Sequence, residues 1–190
     1  NVIIELNSSE LPIMDGSSKY FVEALEKVGC VEQDAERKIY VVKDVISYLD
    51  EATGSEITII PSDGYCVTAM VDFGTKVLGT QNANMKNISD FKSEIADCRT
   101  FSFLHELEAL LNNGLIKGGD LNNAIVYVDK EISEETMGNL KKAFNKEHIS
   151  VKENGILDNL TLHHPNEAAR HKLLDVVGDL SLIGRRIQGK

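Results

Sequence analysis

Hydrophobic and polar positions alternate along this chain in two recurring patterns. Apolar residues at every third or fourth position predict a helix over Ser18 to Val28 and a last helix from about Pro165 to Gly184. Proline is favoured in the first turn of a helix and glycine at its end, which supports the bounds of the last helix. Short runs rich in β-branched residues predict strands. The predicted strands are Val2 to Leu6, Lys38 to Leu49, Ser55 to Pro61, Tyr65 to Phe73 and Ala124 to Val128.

Polar residues that cap helices mark three further helical segments. Asn87 or Ser89 is a suitable N-cap for a helix that runs through Ile95. A second stretch covers Phe101 to Leu111, and a charged amphipathic segment covers Ser133 to Lys146. No internal repeat and no low-complexity tract interrupts this order.

These elements predict an α+β fold in which helices pack on sheets in two layered domains. Residues 31–37 are polar and acidic, which predicts a linker between part of a first domain at 1–30 and a second domain at 38–190. The second domain is expected to have a mostly antiparallel sheet. Because Asn1 is not an initiator methionine and a strand is predicted to start at once, we expect the first domain to be incomplete and the second to lack its C-terminal end.

Composition and charge restrict the classes of function. The 190 residues are 42% hydrophobic and 26% charged, which suits a globular protein with a sizeable core. A net charge of -10 opposes binding to nucleic acid, which needs clustered positive charge. No run reaches the roughly 18 apolar residues of a transmembrane segment, and no export signal is visible. Three widely spaced cysteines suit free thiols, so we expect a reducing, cytoplasmic location.

The last helix carries residues with the chemistry of a metal site. At about 100° per residue, His171 and Asp175 lie about 40° apart on one face of the helix. Gly178 lies about 20° from His171, on the side away from Asp175, and its missing side chain leaves space beside the imidazole. Zinc accepts imidazole nitrogen and carboxylate oxygen, and a catalytic zinc takes three protein ligands and a water. A third ligand must then come from elsewhere. The spacing alone equally describes a weak His–Asp pair on a solvated face, worth about 0.2–0.5 kcal/mol.

Three collinear motifs carry a family resemblance that spans nearly the whole chain. The helix motif is Arg170 to Asp175 followed by Gly178-Asp179-Leu180. It is preceded by the turn Pro12 to Ser17, and by Arg99 to Phe103 with the later dipeptides Gly114-Leu115 and Gly118-Gly119. Together they resemble the UDP-3-O-acyl-N-acetylglucosamine deacetylases, zinc amidohydrolases of lipid A synthesis. Ser102 and Asp120 depart from the pattern, at positions where Gly and Ser are common. The stretch 131–159 matches nothing that can be carried over.

The resemblance implies roles for particular residues. It implies that His171 and Asp175 are zinc ligands and that Lys172 is an electrostatic group beside them. It also implies that Asp179 orients a histidine of another segment. Thr100 places its hydroxyl beside the oxyanion formed from the acetamide carbonyl, a contribution of about 2.7–4 kcal/mol in comparable sites. The plainer alternatives are a surface ion pair for Lys172 and Asp179, and a helix N-cap for Thr100.

The resemblance also implies a substrate-binding set. Phe101 is expected to pack on the sugar nucleotide, while apolar residues line a narrow passage for the 3-hydroxyacyl chain. Ordinary core packing predicts the same apolar side chains. The expected lining residues are Leu107, Ile116, Ala124 and Val126. The remaining histidines are expected to be structural or surface residues; they are His105, His148, His163 and His164.

The expected reaction removes the N-acetyl group of UDP-3-O-(3-hydroxyacyl)-N-acetylglucosamine by attack of a zinc-activated water, releasing acetate and a free amine. The resemblance places a first zinc histidine and a general-base glutamate before Asn1, and a further functional histidine after Lys190. The 190 residues alone are therefore expected to be inactive and to bind zinc weakly. Some relatives are fused to a 3-hydroxyacyl-carrier-protein dehydratase, which suggests a fused parent protein.

Two other classes of function remain open from the residues. The chain is equally compatible with a non-catalytic binding module in which the spacing of His171 and Asp175 is coincidental. A metallohydrolase that uses the same helix on a different amide is the other alternative.

Overall fold

The structure is a computed structural model that describes residues 2–112, 121–157 and 160–190. Two compact units are present within the chain. Unit 1 comprises residues 1–17, 74–79 and 99–162, and unit 2 comprises residues 18–73, 80–98 and 163–190. Each unit is a mixture of helices and strands.

The regular elements are short and alternate irregularly between helix and strand. In chain order they are α1 (Lys19–Val28), β1 (Ile39–Val41), β2 (Ile46–Asp50), β3 (Ser55–Ile59), β4 (Val67–Asp72), β5 (Thr80–Met85), a 3-10 turn (Ile88–Asp90), α2 (Phe91–Glu94), β6 (Phe101–Phe103), α3 (Leu104–Asn112), β7 (Ile125–Tyr127), α4 (Glu134–Ala143), α5 (Glu167–Ser181) and β8 (Arg186–Gln188).

Unit 2 is built around helix α5 lying on an antiparallel strand pair. Strands β4 and β5 pair from Val67 opposite Met85 to Asp72 opposite Thr80, and α5 packs on both of them. Burial follows every second position in both strands: Val67 and Val71 of β4 are buried with the half-buried Ala69 between them, and Ala83 and Met85 of β5 are buried. Helix α5 buries Ala169 and Leu173, four residues apart, so the apolar faces of the strand pair and the helix meet. The buried core residues are Val67, Val71, Ala83, Met85, Ile95, Ala169 and Leu173. This core fixes the helix that carries the candidate metal ligands.

Two smaller strand pairs complete unit 2. Strands β2 and β3 form an antiparallel hairpin, whose turn is closed by hydrogen bonds from the Ala52 amide and the Thr53 hydroxyl to Asp50. Those two contacts, with the Thr53 hydroxyl as the stronger, lower the pKa of Asp50. Strands β1 and β8 pair in parallel, with Tyr40 opposite Ile187.

Unit 1 has its own core beside the parallel pair β6–β7. Ser102 lies opposite Val126 in this pair. Helices α3 and α4 bury apolar residues against the strand pair and the segment around Leu157, and the core residues are Leu104, Leu107, Leu121, Val126, Leu140 and Leu157. Ser133 caps α4, because its hydroxyl accepts a hydrogen bond from the Thr136 amide at 3.0 Å.

The α+β prediction is confirmed, with both antiparallel and parallel strand pairs among the described residues. Helices α1, α4 and α5 form close to their predicted bounds. Within residues 2–112, 121–157 and 160–190, every helix is too short or too polar to cross a membrane.

Several local predictions are wrong. Residues 2–6 have no regular secondary structure and are exposed, since no described strand pairs with them. The predicted helix at Phe101 begins instead with strand β6, because these residues pair with β7. The predicted strand over 38–49 is interrupted between β1 and β2, and strands β5 and β8 were not predicted.

Candidate metal and catalytic site

His171 lies on α5 with its ring oriented by a backbone contact. The imidazole Nδ1 is 2.9 Å from the carbonyl oxygen of Cys98. A carbonyl oxygen only accepts hydrogen bonds, so Nδ1 carries the proton, and in the neutral ring Nε2 keeps its lone pair. A backbone carbonyl on the distal nitrogen is the usual support of a metal-binding histidine. The side chain of His171 is only 12% exposed, unlike that of a residue on a fully solvated face.

Asp175, one helical turn later, presents one carboxylate oxygen to His171 and the other to Lys172. Its Oδ1 is 3.6 Å from Nε2 of His171, and its Oδ2 accepts a hydrogen bond from the Lys172 ammonium at 3.0 Å. Two ligand atoms of one tetrahedral zinc ion, each about 2.0–2.2 Å from the metal, are about 3.3–3.6 Å apart. The donor set and its spacing therefore fit a single zinc ion, with Lys172 holding the far side of the carboxylate.

The core of unit 2 keeps these two side chains on a fixed helix. Leu173 and Ala169 are completely buried against the strand pair, while Asp175 is 39% exposed. Helix α5 thus turns its apolar face to the sheet and its His171–Asp175 face away from the core.

A second group of possible metal ligands lies beside the first. It consists of a carboxylate oxygen, a sulfur and an imidazole nitrogen within 4.8 Å of one another, from Asp97, Cys98 and His164. The chemistry of the three groups argues for hydrogen bonding instead. Burial first, and then the charges of Asp97 and Glu167, raise the pKa of the Cys98 thiol to about 12, so the thiol of the metal-free protein is protonated near neutral pH. His164 Nε2 already contacts the Asp97 carboxylate at 3.1 Å.

The Asp97 carboxylate is held by charge as well as by hydrogen bonding. Burial, the largest single influence, raises its pKa, but the hydrogen bond from His164 and the charges of His164 and His163 outweigh burial. The net effect is a lowered pKa of Asp97. The carboxylate therefore stays ionised and available as an acceptor.

Glu167 is a completely buried acidic residue in the first turn of α5. Its Oε2 accepts a hydrogen bond from the His163 amide at 2.7 Å. The contact joins the loop before α5 to the helix itself, at the end where a negative charge is favourable to the helix dipole.

Thr100 lies in unit 1, where backbone contacts hold it on both sides. Its amide donates to the Gly16 carbonyl and its carbonyl accepts from the Ile125 amide, each at 2.8 Å. Gly16 has φ of +81°, and a Cβ there would clash with the Asn123 carbonyl oxygen, so this close approach requires glycine. Thr100 precedes a strand and is not a helix N-cap, which corrects that alternative.

Phe101 belongs to an aromatic cluster of unit 1. Its ring meets those of Phe103 and Tyr127 edge to face, with centroids 6.3 and 5.9 Å apart. The ring is half-buried. This arrangement supplies a rigid apolar surface of the kind that packs on a flat ligand.

The predicted passage residues have different surroundings. Leu107 and Val126 are buried members of the unit 1 core, as the packing alternative describes, and Ala124 is half-buried. Ile116 lies outside the described residues. Asp179 is exposed on α5, and its side chain forms no ion pair with the described part of the chain. A role of these residues in substrate binding or catalysis stays a prediction.

Sequence reasoning missed the residues that support His171. The acceptor of its Nδ1 proton is a backbone carbonyl 73 positions earlier, which no side-chain pattern encodes. His164 was interpreted as structural or surface, without its partner Asp97. The available signals were the seven-residue spacing from His164 to His171 and a glutamate at position 167, one helical turn before His171 on the same face.

The fold and the site define a class: an α+β protein whose last long helix presents an oriented imidazole and a carboxylate suited to one divalent metal ion. Within that class, the chain belongs to the UDP-3-O-acyl N-acetylglycosamine deacetylase (LpxC) family. The sequence model of this family matches residues 1–139 and 134–190, which together cover the chain.

Individual relatives agree with the family match. The chain is 42% identical over 190 residues to the bifunctional enzyme LpxC/FabZ of Bacteroides thetaiotaomicron and 40% identical to that of Porphyromonas gingivalis, covering all of this chain and 41% of each relative. It is 35% identical to the UDP-3-O-acyl-N-acetylglucosamine deacetylase of Syntrophotalea carbinolica, covering 53% of that protein. The chain thus spans about two fifths to one half of the length of these relatives.

Proposed function

We propose that this chain contributes two zinc ligands, His171 and Asp175, to an enzyme that removes the N-acetyl group of UDP-3-O-(3-hydroxyacyl)-N-acetylglucosamine in lipid A synthesis. The observation that carries the proposal is the geometry of His171. Its Nδ1 is engaged by a backbone carbonyl, and its Nε2 is 3.6 Å from a carboxylate oxygen of Asp175. The family membership and the deacetylase names of the relatives support the substrate and the reaction.

The alternative of a weak ion pair on a solvated face fits this geometry less well. An exposed pair gains about 0.2–0.5 kcal/mol and requires neither partner to be buried. His171 is instead largely buried, and its ring is fixed by a hydrogen bond that leaves one nitrogen available as a ligand. A non-catalytic binding module has no need of this orientation.

Each of the remaining site residues has a proposed role in the transfer of the acetyl group to water. Bound zinc supplies Lewis-acid polarisation of the acetamide carbonyl and a water of lowered pKa. The Lys172 ammonium holds Asp175 in its ligand orientation and adds positive charge beside the reacting carbonyl. The Thr100 hydroxyl donates a hydrogen bond to the oxygen on which negative charge develops, and Asp179 orients a histidine from another part of the enzyme.

Substrate contacts are assigned to unit 1. Phe101 packs against the sugar nucleotide with the aromatic cluster behind it, and the acyl chain contacts apolar side chains nearby. The proposed contacts are Leu107, Ile116, Ala124 and Val126. Because Leu107 and Val126 are core residues in this structure, their contribution is to shape the wall of the passage.

Additional parts of the enzyme must complete the site. Among the described residues, the group of three donors close enough to share a metal is Asp97, Cys98 and His164, and it does not include His171 or Asp175. A third ligand for His171 and Asp175, and a general base, therefore come from outside this set. The 190 residues alone are expected to bind zinc weakly and to show no chelator-sensitive turnover.

We also propose a cytoplasmic enzyme, divided at residues 31–37 between two domains. The bifunctional names of two relatives favour a parent fused to a dehydratase.

Acetate release from the UDP-sugar substrate tests the proposal in the full-length protein that contains this chain. The wild type is expected to release acetate in a zinc-dependent manner, and His171→Ala is expected to abolish it. His105→Ala is the matched control, because His105 also contacts an aspartate, Asp129, at 3.0 Å but lies in unit 1. No release from the wild type, or equal release from both variants, contradicts the proposal.

A further inference from the structure

The segment Glu94–Cys98 supplies the carbonyl that orients His171. It follows helix α2 and turns tightly, with the Ala96 amide bonded to the Phe91 carbonyl and the Cys98 amide bonded to the Ile95 carbonyl. Ile95, Ala96 and Cys98 are buried. The position of the last carbonyl in this segment decides whether Nδ1 of His171 has an acceptor.

Two consecutive histidines hold the segment at Asp97. His164 Nε2 donates to the Asp97 carboxylate at 3.1 Å, and His163 Nδ1 donates to the Asp97 backbone carbonyl at 2.9 Å. Both contacts are made one residue before the carbonyl that His171 uses. His163 is itself joined to α5 through the buried carboxylate of Glu167.

Arg170 holds the other end of the same segment. Its Nη1 donates to the backbone carbonyl of Glu94 and to the Glu94 carboxylate, the latter at 2.8 Å. Its Nε donates to the Asn166 side chain at 2.9 Å, which fixes the guanidinium direction. Helix α5, through Arg170, and the two histidines that precede the helix therefore hold the two ends of the segment that orients His171.

We propose that His164 and Arg170 are positioning residues of the metal site, which hold the Glu94–Cys98 segment so that the Cys98 carbonyl fixes the tautomer and direction of the His171 ring. Neither residue touches the metal. The inference rests on the proposed function, in which His171 is a zinc ligand, and it adds residues that act on His171 through the backbone.

The proposed effect depends on the orientation of the His171 ring, which can rotate about two side-chain bonds. A fixed acceptor on Nδ1 keeps the proton there and points Nε2 toward Asp175, whereas loss of that acceptor leaves the ring free to change tautomer or rotate. Loss of the partners that support a metal ligand costs roughly 10–100-fold in metal affinity. His164 is the better probe, because it precedes the helix and is partly exposed.

The test uses the full-length protein, with zinc affinity measured by chelator competition and ligand geometry followed by the visible spectrum of the Co²⁺-substituted form. His164→Ala and Asp97→Ala remove the same contact from its two sides, and each is expected to weaken zinc binding roughly 10–100-fold and to alter the Co²⁺ bands. Asp97→Asn keeps an acceptor oxygen for His164, so its zinc affinity is expected to stay within about threefold of the wild type. His105→Ala is the control and is expected to leave both readings unchanged.

The outcomes separate the two proposals. A loss of folding alone lowers the yield of protein without changing the Co²⁺ bands of the folded fraction, and Asp97→Asn then serves as the folded reference. If His164→Ala and Asp97→Ala bind zinc as tightly as His105→Ala while His171→Ala does not bind it, the positioning role is overturned and the proposed function stands. If His171→Ala binds zinc like the wild type, the proposed function itself fails.

Discussion

Replacement of Leu173 by alanine tests how helix α5 is held in place. Leu173 is completely buried, and it lies two residues after His171 on the opposite, sheet-facing side of the helix. The other buried residues of its core cluster lie on β4, on β5, just after α2 and on α5 itself; they are Val67, Val71, Ala83, Met85, Ile95 and Ala169. The substitution therefore opens a cavity at the centre of the unit 2 core.

The expected cost lies in the upper part of the usual range. Substitutions of buried leucine by alanine cost roughly 2–5 kcal/mol, and the value depends on how well the site can collapse. The residue one turn earlier is Ala169, which is too small to fill the gap. Four of the other cluster residues lie on the paired strands β4 and β5, which cannot close on it without losing hydrogen bonds. We expect a loss of about 3–5 kcal/mol in the free energy of opening unit 2.

Amide hydrogen exchange followed by mass spectrometry measures this loss within a larger protein. Each 1.4 kcal/mol changes an equilibrium tenfold, so the slowest amides of α5, β4 and β5 should exchange between about 100-fold and several thousand-fold faster. Leu182→Ala is the matched control, because Leu182 is 85% exposed at the end of the same helix. Its effect should stay within about 0.5 kcal/mol. Equal exchange rates in the two variants would refute the packing described for α5.

Three further predictions concern buried and charged groups. The thiol of Cys98 should resist alkylation in the native protein at pH 8 and react on unfolding in urea, because burial and neighbouring charges raise its pKa to about 12; mass spectrometry of labelled peptides checks this. Gly16→Ala should destabilise unit 1 by more than about 1 kcal/mol in denaturant unfolding, since φ is +81° and the new Cβ meets the Asn123 carbonyl. The hydrogen bond and then the charge of Arg170 lower the pKa of Glu94. The ionised carboxylate therefore stabilises the folded state at pH values above the pKa of Glu94 in the unfolded chain, and this stability is lost as pH falls through its pKa in the folded state. Nuclear magnetic resonance titration should show the Glu94 midpoint rising in Arg170→Met.

Helices were predicted well because their signals are local. The spacing of apolar residues and the Ser133 cap are contained within one or two turns, and α1, α4 and α5 form where that pattern indicates. Strands depended on partners far along the chain. Residues 101–103 have an apolar composition that suits helix or strand, and pairing with β7, more than twenty residues later, decides the outcome.

The candidate site divides in the same way. His171 and Asp175 were found from their spacing on one helix, which fixes their relation without knowledge of the fold. The contacts that orient His171 join residues about 70 positions apart and end on a backbone carbonyl. The Asp97–His164 contact spans 67 positions. Such pairings follow from the packing of α5 beside the turn after α2, and a single sequence carries no direct signal for them.

Anomalous X-ray diffraction at the zinc edge, from crystals of the full-length protein that contains this chain, tests the central claim most directly. The account predicts one zinc ion within about 2.0–2.2 Å of both Nε2 of His171 and Oδ1 of Asp175, with Nδ1 of His171 still on the Cys98 carbonyl. A zinc ion bound instead by Asp97, Cys98 and His164, or zinc absent from His171 in active protein, would contradict it.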